Sequence, residues 1–150
     1  RPRASSFTNA PMPPDPGQWR EAERWLARAD EDMRAAEALL ALASPEIGPA
    51  AFHCQQVAEK MAKAALIAAR KPPPRLPDID ELGRRVQAHF PDIGAAFEAL
   101  GGITRWYVSA RYPDAGGSPA PSVADIRDIL SRLGDLRRRI AELAPGAPEG

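Results

Sequence analysis

Apolar residues recur along most of this chain at spacings of three and four, the mark of helices with one buried stripe. The clearest case covers residues 19–43. Trp19, Leu26, Met33 and Leu40 return every seven residues, and Ala22, Ala29, Ala36 and Ala43 form a second row offset by three and four. The rows make one stripe, whose alanines let a partner helix come close. Ser44-Pro45 and Gly48-Pro49 then break the pattern. A second helix is predicted over 50–70. Cys54, Val57, Ala58, Met61, Ala65 and Ala68 trace its buried side, and His53, Gln56 and Lys60 share a neighbouring polar face.

Pro72, Pro73, Pro74 and Pro77 impose a stiff extended connection. A short helix follows, capped by Asp78 or Asp80 and carrying Ile79, Leu82, Val86 and Phe90. Pro91-Asp92 opens a fourth helix with Ile93, Ala96, Phe97, Leu100, Ile103, Tyr107 and Val108 inward. Gly101-Gly102 costs that helix about 1 kcal/mol per glycine against alanine, so a kink or a close helix crossing is expected there. Tyr112-Pro113-Asp114 ends it. After a Gly/Pro loop, Ser122 with Asp125 caps the last helix, whose apolar face includes Val123, Ile126, Ile129, Leu130, Leu133, Leu136, Ile140 and Leu143. No stretch alternates with the period of a strand. The pattern predicts an all-α, antiparallel up-and-down bundle of four long helices plus one short helix.

A length of 150 residues fits one domain, with the bundle expected over 18–144. Residues 1–17, rich in Pro, Ser and Ala, read as a disordered segment, and 145–150 as a flexible tail. Met12 could be a start, in which case residues 1–11 are not native. Twenty basic and 20 acidic residues balance, which argues against a broad electrostatic grip on DNA. Cys54 is the single cysteine; with His53 and His89 it offers too few ligands for a zinc cluster. No apolar run approaches the roughly 18–20 residues that span a bilayer, and no signal-peptide core is evident, so the cytoplasm is the expected compartment. No metal or other cofactor is expected.

Three clusters could carry chemistry. His53, with Gln56 and Lys60, could shuttle a proton or bind a ligand; the alternative is a helix-end histidine bonded to a neighbour. Arg105 and Arg111 could hold phosphate, with Trp106 or Tyr112 stacking on a base; the alternative is a helix C-terminus whose arginines complement the dipole. Arg127, Arg132, Arg137, Arg138 and Arg139 could face phosphates, but Asp125, Asp128, Asp135 and Glu142 interleave, as on a solvated, salt-bridged face. Asp30 and Asp32 form an acidic pair that does not share one helix face. No phosphate loop, catalytic carboxylate pair or serine triad can be assembled.

The alanine-rich first helix with Ala29-Asp30-Glu31-Asp32 through Ala36 resembles the opening of HEPN domains. The segment Ala51-Phe-His-Cys-Gln-Gln-Val-Ala-Glu-Lys-Met-Ala-Lys-Ala-Ala-Leu66 resembles their second helix, and Arg111-Tyr112-Pro113 the end of their fourth. The likeness covers about residues 19–143. It implies a bundle that dimerises with a groove at the seam, often beside a minimal nucleotidyltransferase in toxin–antitoxin or nucleotide-binding pairs. Many members are metal-independent ribonucleases that use an Arg followed, after four to six residues, by a His. Here Ala110, Arg111 and Tyr112 follow Arg105 at those positions, and Gly116, Gly117 and Ser118 follow Arg111. The ribonuclease motif is absent.

The expectation is therefore a non-catalytic or weakly catalytic nucleotide- or RNA-binding module, homodimeric and partnered with a minimal nucleotidyltransferase. Its candidate ligand-binding residues are Arg111, Tyr112, Arg105, His53, Gln56 and Lys60. The alternatives are a ribonuclease toxin with a non-standard site, such as Arg111 with His53, and a purely structural dimerisation bundle.

Overall fold

A computed structural model describes residues 12–75, 78–106 and 120–146. Its elements are α1 (Pro16–Leu40), α2 (Ile47–Ala68), α3 (Ile79–Gln87), α4 (Pro91–Glu98) and α5 (Val123–Ala141). Residues 103–106 add a helical turn after α4, and no strand occurs among the described residues. The protein is an all-helical bundle. Partners on α1 and α2 run in opposite directions: Leu39 bonds Glu46, Asp32 meets His53 and Lys60, and Trp25 meets Lys63. The two helices are therefore an antiparallel hairpin.

Three helix ends differ from the sequence pattern, each for a local reason. The boundary expected after Gly17 falls inside α1, which begins at Pro16. Asp15 accepts from the Gln18 amide at 2.8 Å, and Gln18 Oε1 accepts from the Asp15 amide at 3.0 Å, a complete capping box ahead of a proline in the first turn. At the other end α1 stops at Leu40, leaving Ala43 exposed. Helix α2 starts at Ile47, so Gly48-Pro49 lies in its first turn. Amide groups there have no intrahelical acceptor, and a proline costs the helix little.

The predicted long fourth helix is interrupted rather than kinked. Helix α4 ends at Glu98, and Gly102 takes a φ of 95° before the helical turn at 103–106. Glycine reaches that conformation without a Cβ clash. Among the described residues, α1, α2 and α5 are long, α3 and α4 are short, and the turn at 103–106 is a further helical segment. Asp78, rather than Asp80, caps α3, accepting from the Asp80 amide at 2.9 Å. Ser122 and Asp125 form the reciprocal box at the start of α5, at 3.1 and 2.9 Å.

Helix α2 is the centre of the bundle. Ala50, Ala51, Cys54, Val57, Ala58, Met61, Ala62, Ala64, Ala65 and Ala68 are all buried, so most of its circumference faces protein. It packs against α1, α3 and α5. Ala22, Ala29 and Ala36 of α1 are fully buried, with Leu26 and Leu40 beside them. Small side chains on both helices bring the backbones close, where dispersion contacts accumulate. Met33, on the same seven-residue row, is only half-buried. Leu82, Val86, Phe97, Leu100 and Ile103 join Ile126, Leu133, Leu136 and Ile140 to complete the core.

Two glycines permit the tight packing of α3 on α4. A Cβ on Gly94 would stand 2.3 Å from Gln87 Cβ and 2.4 Å from its Cα, and a Cβ on Gly83 would stand 2.9 Å from Phe97 Cβ. In the first case the clash is with backbone, which cannot rotate away. Gly94→Ala should therefore lower stability by about 2–4 kcal/mol, the range of overpacked or strained core sites. Gly134, inside α5, has nothing within 4 Å of its would-be Cβ. Gly134→Ala should raise stability by about 0.5–1 kcal/mol through helix propensity. Urea melts of the two variants should move in opposite directions, and matching shifts would contradict this packing.

Candidate functional site

The helical period of α2 places His53, Gln56, Lys60 and Lys63 along one flank, beside the seam with α1. All four are half-buried. Asp32 of α1 lies opposite and is the organising group. His53 Nδ1 donates to its Oδ1 at 2.8 Å, and Lys60 Nζ donates to its Oδ2. The three side chains are 28%, 24% and 13% exposed for His53, Lys60 and Asp32, so water screens the charges only in part. Gln56 Nε2 donates to Gln55 Oε1 at 2.9 Å. One turn further, Lys63 bonds Glu59 at 2.9 Å and sits 5.0 Å from the Trp25 ring centroid.

This arrangement has definite chemical capacities. A carboxylate accepts and does not donate, so the His53 proton on Nδ1 is directed at Asp32 and Nε2 remains as the second ring nitrogen. Lys60 is held by the same carboxylate and is not a free cation. An incoming anion must compete with Asp32 for it. Phe52 meets the His53 ring edge-on at 5.5 Å between centroids. Cys54 sits on the opposite, apolar side of α2, and burial pushes its thiol from 9.0 up to about 12, which makes it inert as a nucleophile.

The described residues include four of the six sequence-based candidates. His53, Gln56 and Lys60 come together as expected. Arg105 lies exposed in the helical turn after α4. Arg111 and Tyr112 lie outside the described residues. Asp32 was missed because it was read as half of a pair with Asp30. The two acids instead serve different helices: Asp30 accepts from Arg137 of α5 at 2.9 and 3.1 Å. Two residues on a helix are about 200° apart, which was the available signal. Three of the α5 arginines are salt-bridged, Arg137 on Asp30, Arg132 on Asp128 at 2.9 Å and Arg138 on Asp135. Among the described residues no cluster of His, Cys, Asp and Glu is suited to a metal, and no helix is long and apolar enough to cross a membrane.

The HEPN domain family matches the chain over residues 22–143, from within α1 to just past the end of α5. The chain belongs to the HEPN domain family. Searches of curated proteins and of solved structures find no match. In this HEPN domain the matched span contains the whole Asp32–His53–Lys60 group, so the polar flank is part of the domain itself.

Two predictions follow from the site. A double-mutant cycle on Asp32→Asn and Lys60→Met should give a coupling of about 1–2 kcal/mol, as for a half-buried charge-assisted bond. The exposed Asp128–Arg132 pair should give only a few tenths; equal couplings would mean that the seam is as solvated as the surface. Cys54 should resist a thiol reagent in the folded protein and react once urea unfolds it. Because the fold raises this pKa, its contribution is present below about pH 9 and is lost as pH rises toward 12. Rapid labelling without unfolding would contradict the burial.

Proposed function

We propose that this HEPN domain is a non-catalytic module that binds a nucleotide or RNA, acting as a homodimer with a minimal nucleotidyltransferase as partner. The observation that carries the reading is the Asp32-organised flank of α2. It holds a histidine, a lysine and a glutamine at ordered positions on a surface where most polar groups are solvated. Such preorganised donors lose little entropy when a ligand arrives. Arg111 and Tyr112 complete the proposed site from the sequence side, through a guanidinium able to hold phosphate bidentately and a ring able to stack on a base. The absent Arg–His ribonuclease motif supports binding without cleavage.

A second reading rests on the His53–Asp32 bond, which orients an imidazole as a general base is oriented. Paired with Arg111, His53 would then serve in RNA cleavage. Calorimetric titration with nucleotides and short single-stranded RNA, alongside a cleavage assay, separates the readings. The binding module predicts that Arg111→Ala weakens binding about tenfold at near-normal melting temperature, and that Lys60→Ala weakens it as much with a lowered melt, since Asp32 loses a partner, with RNA left intact. Cleavage abolished by His53→Ala would establish the second reading. Light scattering should give about twice the 16.2 kDa chain mass. A monomer that binds neither nucleotide, RNA nor a nucleotidyltransferase would overturn the proposal.

A further inference from the structure

Away from the α1–α2 seam, a cleft of about 290 Å³ lies between the end of α2, the proline connection and the end of α3. Leu66, Pro72 and Pro74 form its apolar walls, and Lys71, Arg85 and His89 supply its polar lining. No carboxylate is among the lining residues. Of its cations, Arg85 also bonds Glu81, which lies outside the lining. His89 also lines an adjoining recess of about 740 Å³ with Phe90 and Arg139.

The backbone holds this cleft in shape. At the end of α2 the Arg70 amide bonds Ile67 O and the Lys71 amide bonds Leu66 O, both at 2.9 Å. This is the helix-ending turn that normally places glycine in the left-handed region. Here Arg70 takes it, at a φ of 63°, a conformation that costs a side-chain-bearing residue about 1 kcal/mol. Its guanidinium bonds Pro13 O at 3.0 Å. The turn sets Lys71 at the mouth of the cleft, and the prolines after it fix the chain's exit. Across the cleft, Arg85 gives Glu81 one long bond from Nε, at 3.3 Å, while Arg84 binds the same carboxylate at 2.8 Å. Arg84, then Arg85, hold the Glu81 carboxyl below its ordinary range. A guanidinium carries four further N–H donors on its Nη atoms.

We propose that this cleft binds a phosphate monoester. Two permanent cations match the dianion, and three separate donor groups match its three terminal oxygens. Low salt favours these contacts, because the cleft's charges are exposed and are screened by ions. His89 stands where the ester's organic part would pass toward Phe90 in the larger recess. The site is distinct from the His53–Lys60 flank and does not depend on the function proposed there.

Calorimetric titration of the whole chain with inorganic phosphate, AMP and adenosine at low salt tests this. Phosphate and AMP should bind and adenosine should not. Lys71→Ala and Arg85→Ala should each weaken AMP about tenfold, and Ala88→Glu, which puts a carboxylate on the cleft wall, should abolish binding. All three positions are exposed, so thermal melts should stay near wild type. Arg132→Ala on α5 should change nothing. Adenosine binding as well as AMP, or AMP binding unaffected by Lys71→Ala and Arg85→Ala, overturns the proposal. Loss of phosphate binding in Arg111→Ala but not in Lys71→Ala also overturns it, and leaves the earlier reading standing.

Discussion

The close packing of α1 against α2 is the constraint on which the rest of this bundle depends. Alanines at 22, 29 and 36 of α1 are fully buried, and so are Ala50, Ala51, Ala58, Ala62 and Ala65 of α2, the helix it packs against. Small side chains give each pair of residues little apolar area, so stability must come from many contacts between backbones brought near. Such an interface tolerates little change in volume. It also fixes the register of the hairpin. Only in one register does Asp32 of α1 meet both His53 and Lys60 of α2, seven residues apart on the same flank.

That register converts a structural seam into a chemical surface. A lysine and a histidine ring are collected by one carboxylate, rather than scattered over a solvated face. The cost is that they are partly neutralised in place. Breaking the pair from either side would leave a half-buried charge without its partner, which is more expensive than never having buried it. The flank is therefore ordered and selective rather than strongly positive, in keeping with a chain whose charges balance. The cleft at Lys71, Arg85 and His89 differs in kind. It gathers cations with no carboxylate in its lining, and it is shaped by a helix-ending turn and a proline connection instead of a helix pair.

The long helices and their buried faces were legible in the sequence because periodicity reports directly on burial. The seven-residue rows of α1, the stripe of α2 and the face of α5 all carry that signal, and so does the Ser122 cap. The ends were harder to read. Asp15-Pro16 lies inside a Pro/Ser-rich stretch that masks its signal, an acid before a proline with a glutamine following. Pro49 has the look of a helix breaker, yet it lies in a first turn, where amide groups have no intrahelical acceptor. The break at Gly101-Gly102 was visible as a weakness, but whether a helix kinks or stops there depends on what the following turn packs against. Of the site, the shared face of His53, Gln56 and Lys60 was legible from spacing. Asp32 was not, because pairing between helices is set by register, which no single helix encodes. The phosphate cleft was equally hidden, since Lys71, Arg85 and His89 belong to three separate segments.

Native-state hydrogen exchange followed through increasing urea tests the central claim most directly. If α1 and α2 form one tightly packed unit, their interior amides should exchange only through global unfolding, with the same free energy and the same urea dependence on both helices. The short helices α3 and α4 should open earlier, with smaller dependence. Exchange of α1 by a separate, low-energy opening while α2 stays protected would contradict the account, for the seam would then be a loose contact and Asp32 could not organise the face across it.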